Sequence, residues 1–215
     1  MKKYVIYLIT IVFALSAVFT ACKKDKEDKD VSGDEEKGVV INGVRWATRN
    51  VDMPGTFAAN PEDAGMFYQL GRKVGWSTTN PLVNSDGGTI WDDNMPLGDT
   101  WEQKNDPCPC GWRVPTIKEL RSLVASGSSW DELNGVTGRF FGSGEHSIFL
   151  PSAGGRNYTS GALCDVGSSG YYWSSSISFS DATRGLDLSF YDGGIHPNIY
   201  LYRSFGESIR CVADQ

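Results

Sequence analysis

Residues 106–127, DPCPCGWRVPTIKELRSLVASG, contain the clearest helix start in the chain and, with it, the key to the fold class. The Thr116 hydroxyl is placed to accept from the amide of Glu119, and the Glu119 carboxylate to reach back to the amide of Thr116. Leu120, Leu123 and Val124 then fall on one helical face. The helix should stop near Ser126-Gly127, because glycine tolerates the left-handed conformation of a C-terminal cap.

The chain on the C-terminal side of this helix reads mostly as strand. Ser147 to Leu150 precedes Pro151, and Gly170 to Ser175 (GYYWSS) is aromatic and favours β structure. Arg184 to Tyr191 alternates, with Leu186, Leu188 and Phe190 on one face and Asp187, Ser189 and Tyr191 on the other. Asp192-Gly193-Gly194 turns the chain, Ile195 to Tyr202 returns, and Ser208 to Val212 closes it. Trp130 to Asn134 reads as a second helical turn. On the N-terminal side, Val39-Val40-Ile41 and Val44-Arg45-Trp46 flank Asn42-Gly43, a type I′ hairpin signal. Ala64 to Gly71 (AGMFYQLG) reads as a helix of two turns, and Trp76 to Trp101 as a long irregular loop pinned by aromatics. The expected fold is α+β: small antiparallel sheets, one or two helices and long loops.

Further out, the N-terminus reads as an export signal. Lys2 and Lys3 precede an apolar stretch from Tyr4 to Phe19, too short for a typical spanning helix, and small Ala21 precedes Cys22. Phe19-Thr20-Ala21-Cys22 resembles the lipobox of bacterial lipoproteins in the looser form found in Bacteroidetes. The resemblance implies cleavage after residue 21, lipid on Cys22 and anchoring in the outer membrane. Residues 23–37, KKDKEDKDVSGDEEK, have one aliphatic side chain and read as a charged tether. A cysteine followed by such charges resembles the signal for cell-surface exposure. The divisions are therefore 1–21 signal, 22–37 lipidated cysteine and tether, and 38–215 folded domain. That domain has 178 residues, enough for one core, and carries 13 basic and 19 acidic side chains. An acidic balance of this size excludes a nucleic-acid partner.

Beyond Cys22, Cys108, Cys110, Cys164 and Cys211 form an even set, as expected of disulfides in an exported chain. Of the three pairings, Cys108 with Cys110 would close an unfavourably tight loop. The two histidines, His146 and His196, lack ligand spacing to the cysteines, and no cofactor is expected. Asp92, Asp93, Asn94 and Asp99 offer oxygen ligands for calcium, but without EF-hand spacing.

The stretch DPCPCGWRVPT (106–116) closely resembles the signature of the Fibrobacter succinogenes major paralogous domain. Matching pieces follow in order: GVVINGVRWATRN (38–50), LPSAGGR (150–156), GYYWSS (170–175) and GESIRCV (206–212). The resemblance spans Gly38 to Ala213 and implies a C-type-lectin-like fold, which also carries the formylglycine-generating enzymes. It also implies pairing of Cys108 with Cys211, leaving Cys110 and Cys164 for a second bridge. Those enzymes use two cysteines five positions apart near the C-terminus. Cys211 stands at the second position, but Gly206 stands at the first, so the two-sulfur site is incomplete and no catalytic residue is expected.

No elbow motif surrounds either histidine, and the glycine-rich segments lack a phosphate-loop lysine. Trp76, Trp91 and Trp101, in the variable loop, are the candidate ligand-binding residues, since exposed tryptophan stacks on sugars and anchors protein partners. The expected function is a non-catalytic binding or adhesion module for a glycan or surface protein. The alternatives are an enzyme on the same fold or a structural part of an envelope or fimbrial assembly.

Overall fold

The computed structural model describes residues 36–96 and 101–214. Cys22, the export signal and most of the tether lie outside this range. In chain order the elements are β1 (Val39–Ile41), β2 (Val44–Trp46), β3 (Met66–Tyr68), β4 (Gly75–Ser77), β5 (Trp112–Arg113), α1 (Ile117–Ala125), β6 (Ser128–Leu133), β7 (Val136–Ser143), β8 (His146–Pro151), β9 (Gly155–Arg156), β10 (Leu163–Cys164), β11 (Ser169–Ile177), β12 (Arg184–Tyr191), β13 (Gly194–Tyr202) and β14 (Val212–Ala213). A 3₁₀ turn covers Gln103–Asn105. The domain is α+β, with small antiparallel sheets around one helix. Among the described residues no helix is long and apolar enough to cross a membrane.

The helix forms as its sequence dictates. Thr116 and Glu119 make the reciprocal capping box, and the Glu119 carboxylate also binds the Arg113 guanidinium at 2.6 Å. Ile117, Leu120 and Leu123 are buried. They join Trp46, Phe141, Ile148, Leu150, Tyr172, Leu188 and Phe190 in the main apolar core, under the sheets β6-β7-β8 and β11-β12-β13.

The first hairpin and the last strand meet in a third sheet, ordered β1-β2-β14-β5. Asn42 and Gly43 have positive φ (49° and 80°), as a type I′ turn requires. The closing segment runs beside residues 47–51, with the Ala47 amide donating to the Cys211 carbonyl at 2.9 Å and the Val51 amide to that of Ile209 at 3.0 Å. Within it the Arg210 guanidinium is fully buried and donates to Asn50 Oδ1 at 2.8 and 3.0 Å. A disulfide joins Cys108 to Cys211, as the resemblance implied.

Two expected helices are strands. Residues 66–68 form β3, paired with β4. Phe67, Tyr68 and Leu70 are all buried, so no polar stripe exists for a surface helix. Gly65 has φ +70°, and a Cβ there would lie 2.2 Å from the Val51 carbonyl oxygen, so the chain enters β3 through a tight approach closed to other residues. The second correction is Trp130–Asn134. Residues 128–133 are β6, joined to β7 through Asn134 (φ 51°) and Gly135 (φ 83°). This is the same dipeptide turn that builds the first hairpin, and it overrides the helical spacing.

Candidate functional site

The tryptophans expected to bind ligand hold the long loop down instead. Trp76 lies on β4 and is 2% exposed; Trp101 is 8% exposed and donates its indole N–H to the Asn105 carbonyl at 2.8 Å. Trp91 is half-buried, packs on Trp76 at 4.8 Å between ring centroids, and donates to the Tyr158 carbonyl at 3.1 Å. Trp76 and Trp101 therefore offer no open stacking face, and Trp91 has one side occupied. This corrects the loop assignment, and the cause is burial by segments distant in sequence.

The calcium candidates are no closer to a site. Burial pushes the Asp92 carboxyl pKa up, but hydrogen bonds from Arg72 and Asn94 outweigh it and hold the value below the usual range. Asp93 and Asn94 are exposed, and Asp99 lies outside the described residues. Among the described residues, no three His, Cys, Asp or Glu side chains converge as metal ligands. The expected Cys110–Cys164 bridge is not formed. Cys164 is a half-buried thiol 3.5 Å from the Gly155 carbonyl oxygen, and Cys110 lies on an exposed turn. Burial, then neighbouring Asp165, pushes the Cys164 thiol pKa up, away from thiolate reactivity. His146 and His196 are exposed, the latter stacked on Tyr191 at 5.8 Å.

Concave surface among the described residues lies near the start of the domain. Two depressions of about 370 and 310 Å³ share Glu36 and Arg49. The first continues over Lys37, Gly38, Thr48, Ala59 and Pro61. The second continues over Gly55, Thr56, Phe57, Pro109, Cys110 and Trp112. The walls follow from local structure. The hairpin β1-β2 delivers Thr48 and Arg49 beside the start of the domain. A turn at 52–56 is closed by the Asp52 amide on the Thr56 carbonyl at 3.1 Å and tied across by the Gly55 amide on the Pro107 carbonyl at 2.8 Å. Asp106 fixes the facing loop, accepting from the Cys108 amide at 2.8 Å and the Val114 amide at 3.0 Å.

At the junction the Glu36 carboxylate accepts from the Gly38 amide (3.0 Å), the Thr48 amide (3.1 Å), the Thr48 hydroxyl (3.0 Å) and Arg49 Nε (3.0 Å). Burial pushes its pKa up, and these donors together bring it below the ordinary glutamate value. The Arg49 guanidinium stands 5.8 Å from the Phe57 ring centroid, and Phe57 meets Trp112 edge to face at 5.6 Å. The groove therefore combines a fixed ion pair with aromatic edges, a mixture suited to a ligand with polar groups on one side and an apolar face on the other. Sequence reasoning placed Glu36 in the tether and Trp112 only within the 106–116 stretch, and no periodic signal marks Arg49 or Phe57. Comparison of the chain with protein-family models, with curated proteins and with solved structures gives no match.

Proposed function

We propose that the chain is a lipid-anchored, surface-exposed binding module of the bacterial outer membrane, and that it engages a glycan through the groove around Arg49, Phe57 and Trp112. The observation that carries the binding site is the convergence of both depressions on the Glu36–Arg49 ion pair, with the Phe57–Trp112 aromatic pair alongside. A sugar presents hydroxyls to charged hydrogen-bonding groups and a C–H face to aromatics, so this pairing suits it better than a purely apolar cleft would. The membrane anchor rests on the sequence around Cys22. The resemblance of residues 106–116 to the Fibrobacter succinogenes major paralogous domain, a C-type-lectin-like fold, supports the same reading. Small antiparallel sheets, one helix and the Cys108–Cys211 bridge agree with what it implies.

The test is a glycan-array screen of the mature chain carrying Cys22→Ser, with Arg49→Ala, Phe57→Ala and Trp91→Ala versions in parallel. Removing a charged hydrogen-bond donor should weaken binding about tenfold or more, with a comparable loss for the aromatic. Trp91→Ala should bind as the parent does. Binding that survives both groove substitutions, or absence of any glycan ligand, overturns the assignment.

A further inference from the structure

The polar face of β12 should point to solvent if its alternation is read alone, yet Asp187 is fully buried and Ser189 is 8% exposed. Part of the cover comes from Leu70, whose side chain lies 2.1 Å from where a Cβ on Gly185, two residues along the same face, would stand. Trp173 on β11 pairs with Asp187 on one side. On the other side its amide donates to the Ser208 carbonyl at 3.1 Å. Glu207 in turn exchanges both backbone hydrogen bonds with Tyr68 on β3, at 2.7 and 3.0 Å. Side-chain alternation across these pairings puts Trp173, Asp187 and Glu207 on the same face. Two carboxyl groups therefore lie inside the protein on either side of one strand.

Their hydrogen bonds do not balance their burial. Asp187 Oδ2 accepts from the Ser189 hydroxyl, while Asp187 Oδ1 and both Glu207 carboxyl oxygens have no partner among the described residues. An ionised carboxylate buried in this way costs several kcal/mol unless it is paired. Tyr68 faces the pair from β3, Cys164 from β10, and Tyr171 from β11, with its hydroxyl on Asp165 at 2.8 Å. His196 lies opposite Ser189 on β13, exposed. Arg203, buried on the loop before Glu207, donates to the Ala182 carbonyl at 3.2 Å. Burial pushes Asp187 up to about 7, the Ser189 hydroxyl offsetting part of the rise. Burial, then Asp187, then Cys164 drive Glu207 well above the carboxylate range.

We propose that Asp187 and Glu207 are a proton-holding pair that makes this fold pH-responsive: β11, β12 and residues 206–208 are locked together while the pair is protonated, and loosen as pH rises through neutrality. The sign follows from linkage. Both acids hold protons in the folded state that the unfolded chain has already released. Their stabilisation is complete below the ordinary carboxylate pKa. It declines as pH climbs towards about 7 for Asp187, and over a range extending well above the ordinary glutamate value for Glu207.

The mature chain carrying Cys22→Ser is unfolded by urea at a series of pH values. His146→Gln and His196→Gln are included in every version so that the carboxyl pair is read without histidine. From about pH 5 to about pH 8 the parent's unfolding constant should rise by up to about tenfold per pH unit for each proton lost. Glu207→Gln, a neutral isostere of the protonated acid, should flatten most of that slope, and Asp187→Asn part of it. Carbon-13 NMR titration of the parent gives a readout that no variant has to survive: both carboxyl carbons should titrate well above the ordinary acid range, each responding to the other. A flat parent curve, or two carboxyls titrating in the ordinary acid range, overturns the proposal. So does a parent that calcium stabilises at about pH 8 while leaving Glu207→Gln unaffected, because the pair would then hold a cation rather than a proton.

Discussion

Opening the Cys108–Cys211 bridge should cost this domain a large part of its stability. The bridge spans 103 positions. For a closed loop of that length the chain-entropy model gives about 4.7 kcal/mol. A domain of this kind is stable by about 5–15 kcal/mol, so loss of the bridge raises the unfolded fraction by three orders of magnitude or more. Reduction is a cleaner perturbation than substitution. Cys211 is fully buried beside Val114, Trp173 and Ile209, and truncating its side chain would add a packing loss to the cross-link effect. The assay is urea unfolding of residues 22–215 with Cys22→Ser and Cys110→Ser, oxidised and reduced, followed by tryptophan fluorescence. With a slope of about 2 kcal/mol per molar urea, the midpoint should fall by roughly 2 M. The slope itself should rise, since a chain without the cross-link exposes more surface when unfolded. A difference below about 1 kcal/mol would refute the reasoning: the terminal segment would then be held by its strand pairing with β2 and β5, and the bridge would add nothing to it.

Thr116→Ala removes one half of the capping box and should destabilise the domain by about 1 kcal/mol in the same assay, with Thr116→Ser restoring most of it. It should also weaken the acid limb of the stability curve. Burial raises the Glu119 pKa, but hydrogen bonds from Arg113 and Thr116 bring it below the ordinary value. That contribution is present above the unfolded-state pKa and is lost as pH falls through the folded one. At the other end of the chain, incorporation of a palmitate analogue should label the expressed protein and spare Cys22→Ala. Equal labelling of both would end the lipid-anchor reading.

The two hairpin turns show what was legible in the sequence and what was not. Asn42-Gly43 sits between short apolar runs and was read correctly. Asn134-Gly135 makes the same turn, but follows Trp130-Asp131-Glu132-Leu133, whose spacing also suits a helix continuing the one before it. Local pattern alone did not decide between them; pairing of β6 with β7 did. Met66-Phe67-Tyr68 failed for a related reason. A strand buried on both faces carries no alternation, and a short apolar run then reads equally well as helix. The capping box, by contrast, depends on two residues three apart, and such features survive any tertiary context. The candidate site was hidden for the opposite reason. Its walls come from residues near 36, 49, 57 and 110, brought together only when β2, β14 and β5 pair. The tryptophans of the long loop looked available because their partners, such as the Tyr158 carbonyl 67 positions from Trp91, are remote.

The terminal segment 206–212 links these cases. The same seven residues carry Glu207 into the protein, bury Arg210 against Asn50, seat Cys211 in its disulfide and begin β14 at Val212. They also set Glu207 on the same face as Asp187, across β11 from it. The bridge and the acid pair consequently act on one structural unit. Ionising the pair strains the segment that the disulfide retains. Reducing the disulfide releases the segment that holds Glu207 beside Asp187. Groups sharing an element in this way are not additive. The pH slope attributed to the acid pair should therefore be smaller in the reduced protein than in the oxidised one. Equal slopes in both redox states would mean that the pair is confined by β3 and β11 alone, independently of how the chain end is fastened.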